Sequence, residues 1–255
     1  MKALILAGGQ GTRLREETEY RPKPMVQIGS KPILWHIMKI LYTQGIQEFE
    51  LALGFKGDQI KDYFLKYPYL AADLSIDYSK ENPVTNFDRS SIENWVVGLN
   101  DTGGETNTGG RILKLRDKLT ETFICTYGDG VANVNIHDLI EFHRMHGKIA
   151  TVTAVHPSAR FGSIEIAKDG MVSTFAEKPV SNQWVNGGFF VFNPKIFDYL
   201  SFDSILERGP LERLTQDSQL MAWQHHDFWH PMDTIRDAEH LNELWDKGSA
   251  PWKLW

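Results

Sequence analysis

Cysteine is almost missing from this chain: Cys125 is the only one among 255 residues. No intramolecular disulfide can form, so the fold must rest on its apolar core, and a reducing, cytoplasmic setting is expected. Long apolar runs are missing as well. The N-terminal run Ala3-Leu4-Ile5-Leu6-Ala7 is far shorter than the ~20 residues of a membrane-spanning helix or the core of a signal peptide, so neither is expected. There is no surplus of positive charge. Lys and Arg number 27 against 33 Asp and Glu, a net charge of −6, which speaks against a nucleic-acid partner. Small anionic ligands stay open, because local cations can neutralise them. No HExxH, GxSxG or closed Walker loop occurs, which sets aside the common zinc-hydrolase, serine-hydrolase and P-loop readings.

The rest of the composition is that of a globular protein, with 42% hydrophobic and 24% charged residues. Residues 2–7 read as a buried strand and 31–44 as a helix capped by Ser30, with Pro32 in its first turn. Further strands are predicted at 49–53, 73–78, 94–100 and 122–127, and helices at 56–66, 110–118 and 135–146. Residues 79–92 read as a polar loop, a candidate lid. Beyond Thr151 the texture turns β-rich ("TVTAV", "GSIEI", "MVSTF", "WVNGGFFVFN"), with a hairpin turn at "KDG". Helices follow near 195–200, 210–216 and 234–247. The alternation predicts an α/β fold, with a Rossmann-like mixed, mainly parallel sheet flanked by helices and a smaller β-rich region. A single domain is expected over 1–255.

The most informative stretch is "LILAGGQGTRL", Leu4 to Leu14. Gly8, Gly9 and Gly11 follow an apolar strand directly, and Arg13 follows them. A tight turn would need one glycine. A dinucleotide fingerprint fails, because Leu14 stands where its third glycine belongs. A loop whose backbone amides cradle phosphate, aided by a guanidinium, accounts for the whole pattern. "RPKPMVQIGSKP" then places Arg21, Lys23 and Lys31 among stiffening prolines, and Arg13 and Lys23 could clamp a triphosphate. "TYGDG" ends an apolar strand, where ligands sit in parallel sheets. Asp129 there could be a plain turn residue or a Mg²⁺ ligand. Asp233 in "HPMDTIRD" is a second carboxylate, or a helix N-cap. His143 and His146 share a helix face without a third ligand, which reads as a surface pair. Cys125 reads as core packing.

In this order, "LAGGQGTRL", "RPKPMV", "GDG", "EKP" and "NGG" resemble the sugar-phosphate nucleotidylyltransferases. The likeness spans nearly the whole chain and is closest to the branch that makes CDP-glucose, through "TGGRI", "TYGDGVA", "RFG", "VNGGFF" and "FWHPMDTIRD". The resemblance implies that Leu6, Ala7, Gly8, Gly9, Gln10, Gly11, Thr12, Arg13, Lys23 and Gly128 bind the nucleotide. It implies that Thr108, Gly109, Gly110 and Arg111 lie by the base and help select cytosine. Tyr127, Glu177, Lys178, Asn186 and Gly187 are implied for the sugar phosphate, and Asp129 and Asp233 for Mg²⁺. Arg13, Lys23, Asp129 and Lys178 would be the catalytic set. Residues 1–150 would serve mainly the nucleotide and 151–255 mainly the sugar. The implied substrates are CTP and α-D-glucose 1-phosphate, and the implied state is a homo-oligomer. Two positions depart from the pattern: Arg21 stands where lysine is usual, and Trp184-Val185 precede "NGG". Another nucleotide or sugar phosphate is the runner-up. A non-catalytic nucleotide-sensing subunit is disfavoured, because every charged site residue is present.

Overall fold

Strand β1 (Lys2–Ala7) is buried on both sides because both of its faces are apolar. Ala3, Ile5 and Ala7 enter one core cluster, and Leu4 and Leu6 enter a second one on the opposite face of the sheet. That alternation is the two-residue period of a strand covered on both sides. The computed structural model describes residues 1–79, 81–82, 84–157, 162–176, 181 and 183–255; of Arg13, Arg15 and Ser91 it describes the backbone. In chain order the remaining strands are β2 (Gln27–Ile28), β3 (Lys31–Pro32), β4 (Glu48–Leu53), β5 (Leu74–Asp77), β6 (Val84–Phe87), β7 (Val96–Asp101) and β8 (Phe123–Tyr127). They are followed by β9 (Gly130–Ala132), β10 (Ala150–Val155), β11 (Ser163–Ile166), β12 (Val172–Ala176), β13 (Val185–Phe192), β14 (Leu220–His225) and β15 (Trp229–Pro231). The α-helices are α1 (Arg15–Thr18), α2 (Ile33–Tyr42), α3 (Gly57–Ala71), α4 (Thr108–Leu113), α5 (Ile136–His146), α6 (Pro210–Gln216) and α7 (Ile235–Asp246).

Seven strands form the central sheet in the order β14-β10-β13-β8-β1-β4-β7. β13 runs antiparallel to both of its neighbours, and every other pairing is parallel. The fold is therefore α/β with a mixed, mainly parallel sheet. α2, α5 and α7 supply Ile37, Leu139 and Leu241 to one core cluster, while α4 and α6 supply Ile112 and Leu214 to the other. No described helix is long and apolar enough to cross a membrane.

Three local departures from the expected elements have physical causes. Ser30 does not cap α2; Gly29 turns the chain at φ 59°, Lys31 and Pro32 pair back on Gln27 and Ile28, and the helix begins after Pro32. α3 runs through Pro68 to Ala71 instead of ending near 66, because the buried Tyr67 is anchored by a 2.8 Å hydrogen bond from Trp35 Nε1. The stretch read as a lid over 79–92 contains β6, which pairs antiparallel with β5. Gly147 closes α5 at φ 65°, as its position predicts.

Candidate functional site

β4, β1 and β8 are adjacent and parallel, so the loops leaving their C-terminal ends converge on one edge of the sheet. A crevice on that edge is where open α/β sheets bind ligands. A cleft of about 410 Å³ lies there, floored by Leu6 and Ala7 and walled by Gly8, Gly9, Gly11 and Thr12. Thr106, Asn107, Thr108 and Arg111 line it as well, with Lys23, Pro24, Gly128, Asp129 and Asp233.

The glycine loop is shaped from below by Arg111, which is 3% exposed. Its Nη1 donates to Leu53 O at 3.0 Å, Thr102 Oγ1 at 2.6 Å and Gly103 O at 2.8 Å. Its Nη2 donates to Gly8 O at 2.8 Å and Gly104 O at 3.2 Å. Burial pulls the Arg111 pKa down, with Asp101 and Glu105 opposing it, and guanidinium stays charged throughout. Arg111 thus lines the cleft while both terminal nitrogens hold the ends of β1, β4 and the segment after β7. A side chain at Gly8 would meet Arg111 Nη1 at 2.2 Å, which is why glycine stands there. Gly11 supplies the turn, at φ 62°. Among the described residues, no protein acceptor takes the amides of Gly9, Gln10 or Gly11. Free amides on one loop suit phosphate oxygens.

Lys23 is 7% exposed and sits between two carboxylates. Its Nζ lies 2.6 Å from Asp129 Oδ2 and 2.7 Å from Asp233 Oδ1. Burial alone would lower the lysine pKa, but attraction and hydrogen bonds from Asp129 and Asp233 outweigh it and the net shift is upward. The two carboxylates are brought together by the short β9–β15 ladder, in which Gly130 faces Pro231, and by the 2.8 Å bond from Met232 N to Asp129 O. Asp233 is not the cap of α7; Thr234 is, in a capping box with Asp237. Two hard oxygen donors converging on one cationic atom form a donor set that suits a divalent ion such as Mg²⁺.

A second cleft of about 370 Å³ adjoins the first and shares Tyr127, Asp129 and Asp233 with it. Asn186, Gly187 and Trp229 line its far side, and Trp229 Nε1 donates to Gly187 O at 2.7 Å. Cys125, one residue from the cleft wall, is wholly buried, and burial pushes its thiol pKa far up, so it is an inert core residue.

Most of the residues expected at the site therefore meet on one edge of the sheet. Gln10, Gly109 and Gly110 do not line it. Gln10 is exposed and its Nε2 reaches Glu105 Oε1 at 3.3 Å, while Gly110 N donates to Ser204 O at 3.2 Å. Glu177 and Lys178 lie outside the described residues, as does the side chain of Arg13. Of the basic cluster, only Lys23 enters the cleft. Arg21 pairs with Glu17 at 3.4 Å, and Lys31 stands over the rings of Trp35 and Tyr67. His143 is buried rather than on the surface: His143 Nδ1 and His146 Nε2 both bond Thr151 Oγ1, at 2.8 and 2.7 Å. Pro24, Thr106, Asn107 and Trp229 were not anticipated as lining residues, although Pro24 and Trp229 lie within quoted motifs and Thr106 and Asn107 directly precede "TGGRI". Glu207, which accepts from the hydroxyls of Thr108 and Tyr127, carries no motif signal at all.

The sequence matches the nucleotidyl transferase family over residues 2–230. It is 48% identical to the glucose-1-phosphate cytidylyltransferase of Salmonella typhimurium over 259 aligned positions, covering 100% of both chains. The enzyme of the same name from Salmonella typhi is also 48% identical, with the same coverage. Among solved structures, a UDP-glucose pyrophosphorylase complexed with UDP-glucose superposes with a TM-score of 0.69 at 18% identity, covering 97% of this chain and 98% of that one. That last likeness is one of fold.

Proposed function

The chain belongs to the nucleotidyl transferase family, and from that premise we propose that it transfers a cytidylyl group from CTP to α-D-glucose 1-phosphate, giving CDP-glucose and pyrophosphate. The observation that carries this reading is the meeting of two clefts at Asp129, Asp233 and Tyr127, with the buried ammonium of Lys23 at the junction. The first cleft takes CTP, its phosphates on the Gly9–Gly11 amides. The second takes the sugar phosphate, against Asn186 and Gly187. Residues 1–150 thus serve mainly the nucleotide and 151–255 mainly the sugar.

In the reaction, an oxygen of the sugar phosphate forms a bond to the α-phosphorus of CTP as the bond to the β-phosphate oxygen breaks. The electron pair leaves with pyrophosphate. A phosphate monoester is largely dianionic near pH 7, its second pKa being ~6, so no protein nucleophile or strong base is required. The barrier lies in bringing two anions together in line, and what the chain contributes is alignment and positive charge. Lys23 supplies that charge from within the cleft, and Arg13 and Lys178 are assigned the same task on the nucleotide and sugar sides. Asp129 and Asp233 would hold Mg²⁺, which when bound neutralises phosphate oxygens. Were the two carboxylates to hold that ion, the Lys23 ammonium, which they now flank, would be available to a phosphate oxygen. The hairpin β11–β12 leaves Ile164, Ile166 and Phe175 exposed. Two-stranded hairpins are marginal in water, which supports a homo-oligomer.

Incubation with CTP, glucose 1-phosphate and Mg²⁺ should yield CDP-glucose and pyrophosphate in equal amounts. Direct transfer also predicts no exchange of labelled pyrophosphate into CTP when the sugar phosphate is left out. Exchange under those conditions would show a covalent nucleotidyl-enzyme and overturn the mechanism.

A further inference from the structure

Behind the junction of the two clefts, the half-buried carboxylate of Glu207 holds two hydroxyls that come from opposite sides. Thr108 Oγ1, at the start of α4 on the nucleotide wall, donates to Glu207 Oε2 at 2.9 Å. Tyr127 Oη, at the end of β8 on both clefts, donates to Glu207 Oε1. Tyr127 in turn accepts from Asn186 Nδ2 at 3.3 Å, and Asn186 Oδ1 accepts from Gly188 N at 2.8 Å. Glu207 itself lines neither cleft.

We propose that Glu207 is a positioning residue for the sugar phosphate: it fixes the proton of the Tyr127 hydroxyl and, through that hydroxyl, the orientation of the Asn186 amide toward the second cleft. The inference rests on the assignment of that cleft to the sugar phosphate. Its chemistry follows from donor and acceptor counts. An ionised carboxylate only accepts, so it can accept a hydrogen bond from each of two hydroxyls at once, one on each oxygen, whereas a glutamine offers one accepting oxygen. With the Tyr127 proton directed at Glu207, a lone pair faces Asn186 Nδ2. Asn186 then has one N–H on Tyr127 and its oxygen on Gly188 N, which leaves its second N–H for an oxygen of the sugar phosphate. If the Tyr127 proton were unconstrained, it could point at Asn186 Nδ2 and set donor against donor; turning the amide over would relieve this only by breaking the bond from Gly188 N, so the amide loses its fixed orientation either way.

The two hydroxyls do not depend on Glu207 equally. Thr108 Oγ1 is held a second time, accepting from Leu206 N at 2.8 Å, and α4 is tied to the same loop by Gly110 N to Ser204 O at 3.2 Å. Among the described residues neither hydroxyl has another acceptor for its proton, but the second bond of Tyr127 is only the 3.3 Å contact from the exposed Asn186 side chain, whereas that of Thr108 comes from the backbone. Loss of Glu207 therefore falls on the sugar side.

The test is a KM comparison on the full-length enzyme with CTP and glucose 1-phosphate, accompanied by thermal melting. Glu207→Ala should raise the KM for glucose 1-phosphate about tenfold, the equivalent of ~1.4 kcal/mol, and leave the KM for CTP unchanged. Glu207→Gln keeps the shape and one acceptor, so it should give a smaller rise of the same kind, and it serves as the probe if the alanine variant does not fold. Adding Tyr127→Phe to Glu207→Ala should cost nothing further, since both changes break the same link. Equal rises in both KM values, or additive effects in the double variant, would overturn the proposal. Asn186→Ala separates it from the cleft assignment. If Asn186→Ala leaves the glucose 1-phosphate KM unchanged, the cleft reading itself falls. If it raises that KM while Glu207→Ala does not, the cleft stands and the role of Glu207 falls.

Discussion

Gly8→Ala is the substitution for which the structure specifies the damage most closely. The added methyl would stand 2.2 Å from Arg111 Nη1, 2.4 Å from its Cζ and 2.9 Å from its Nε, against an optimal separation of ~3.5 Å or more for non-bonded carbon. Something must move by more than about 1 Å. The guanidinium is pinned by five oxygen acceptors, each bond being charge-assisted and worth roughly 1.5–3 kcal/mol. If Arg111 yields, the loss of two such bonds costs at least about 3 kcal/mol, a fall in Tm of roughly 6 °C or more for a chain of this size. If the loop yields instead, the amides proposed to bind phosphate are displaced by about 1 Å, a misplacement that can cost ~100-fold in rate. Calorimetry and kcat/KM measured on one preparation separate the two responses. Gly9→Ala is the internal control for stability, because nothing lies within 4 Å of a Cβ at Gly9. A Gly8→Ala protein with unchanged Tm and unchanged kcat/KM would refute the account of Arg111 as the brace of this loop.

Asp129→Asn keeps an oxygen for Lys23 but removes one charge of the pair. Turnover should fall about 100-fold or more, and near-normal kcat at saturating Mg²⁺ would remove Asp129 from the metal site. Acid should destabilise the fold before the carboxylates are fully titrated. His36 and His143 are both buried, and burial is the main cause holding each down to about 4 from an ordinary 6.5. His36 is fixed in the neutral form, its Nε2 donating to Ile28 O at 3.0 Å while Nδ1 accepts from Trp252 Nε1 at 3.4 Å. The unfolded chain takes up protons below about 6.5 that the folded chain refuses until about 4, so stability falls as pH drops through that window. Each histidine contributes up to roughly 3 kcal/mol to this loss by the bottom of the window, at ~1.4 kcal/mol per pKa unit. A Tm that stays level from pH 7 to about 4.5 would contradict this.

The legible parts of the fold are those written locally. β1 shows as an apolar run that ends in glycine, and α5 is stopped by a left-handed Gly147. The β-rich second half was readable from its closely spaced β-branched and aromatic residues. The illegible parts depend on partners far away in sequence. Nothing near Pro68 says that Tyr67 will be anchored by Trp35, and nothing in "GVA" or "WHP" says that β9 and β15 will pair and bring Asp129 to Asp233. The basic cluster gave three candidates, Arg21, Lys23 and Lys31, of which burial between two carboxylates singles out Lys23. Arg111 was assigned beside the base on likeness alone, and its bracing of the glycine loop is visible only once Leu53, Gly103 and Gly8 surround it. Glu207 was invisible because its partners Thr108 and Tyr127 lie 99 and 80 residues away.

The central claim is that the cleft over the glycine loop holds CTP for transfer to glucose 1-phosphate. The most direct measurement is pyrophosphate release with Mg²⁺ and glucose 1-phosphate, run in parallel with CTP, UTP, dTTP, GTP and ATP. The account predicts the highest kcat/KM with CTP and CDP-glucose as the product. A preference for another nucleotide would contradict the base assignment while keeping the chemistry, and no release with any nucleotide would contradict the claim itself.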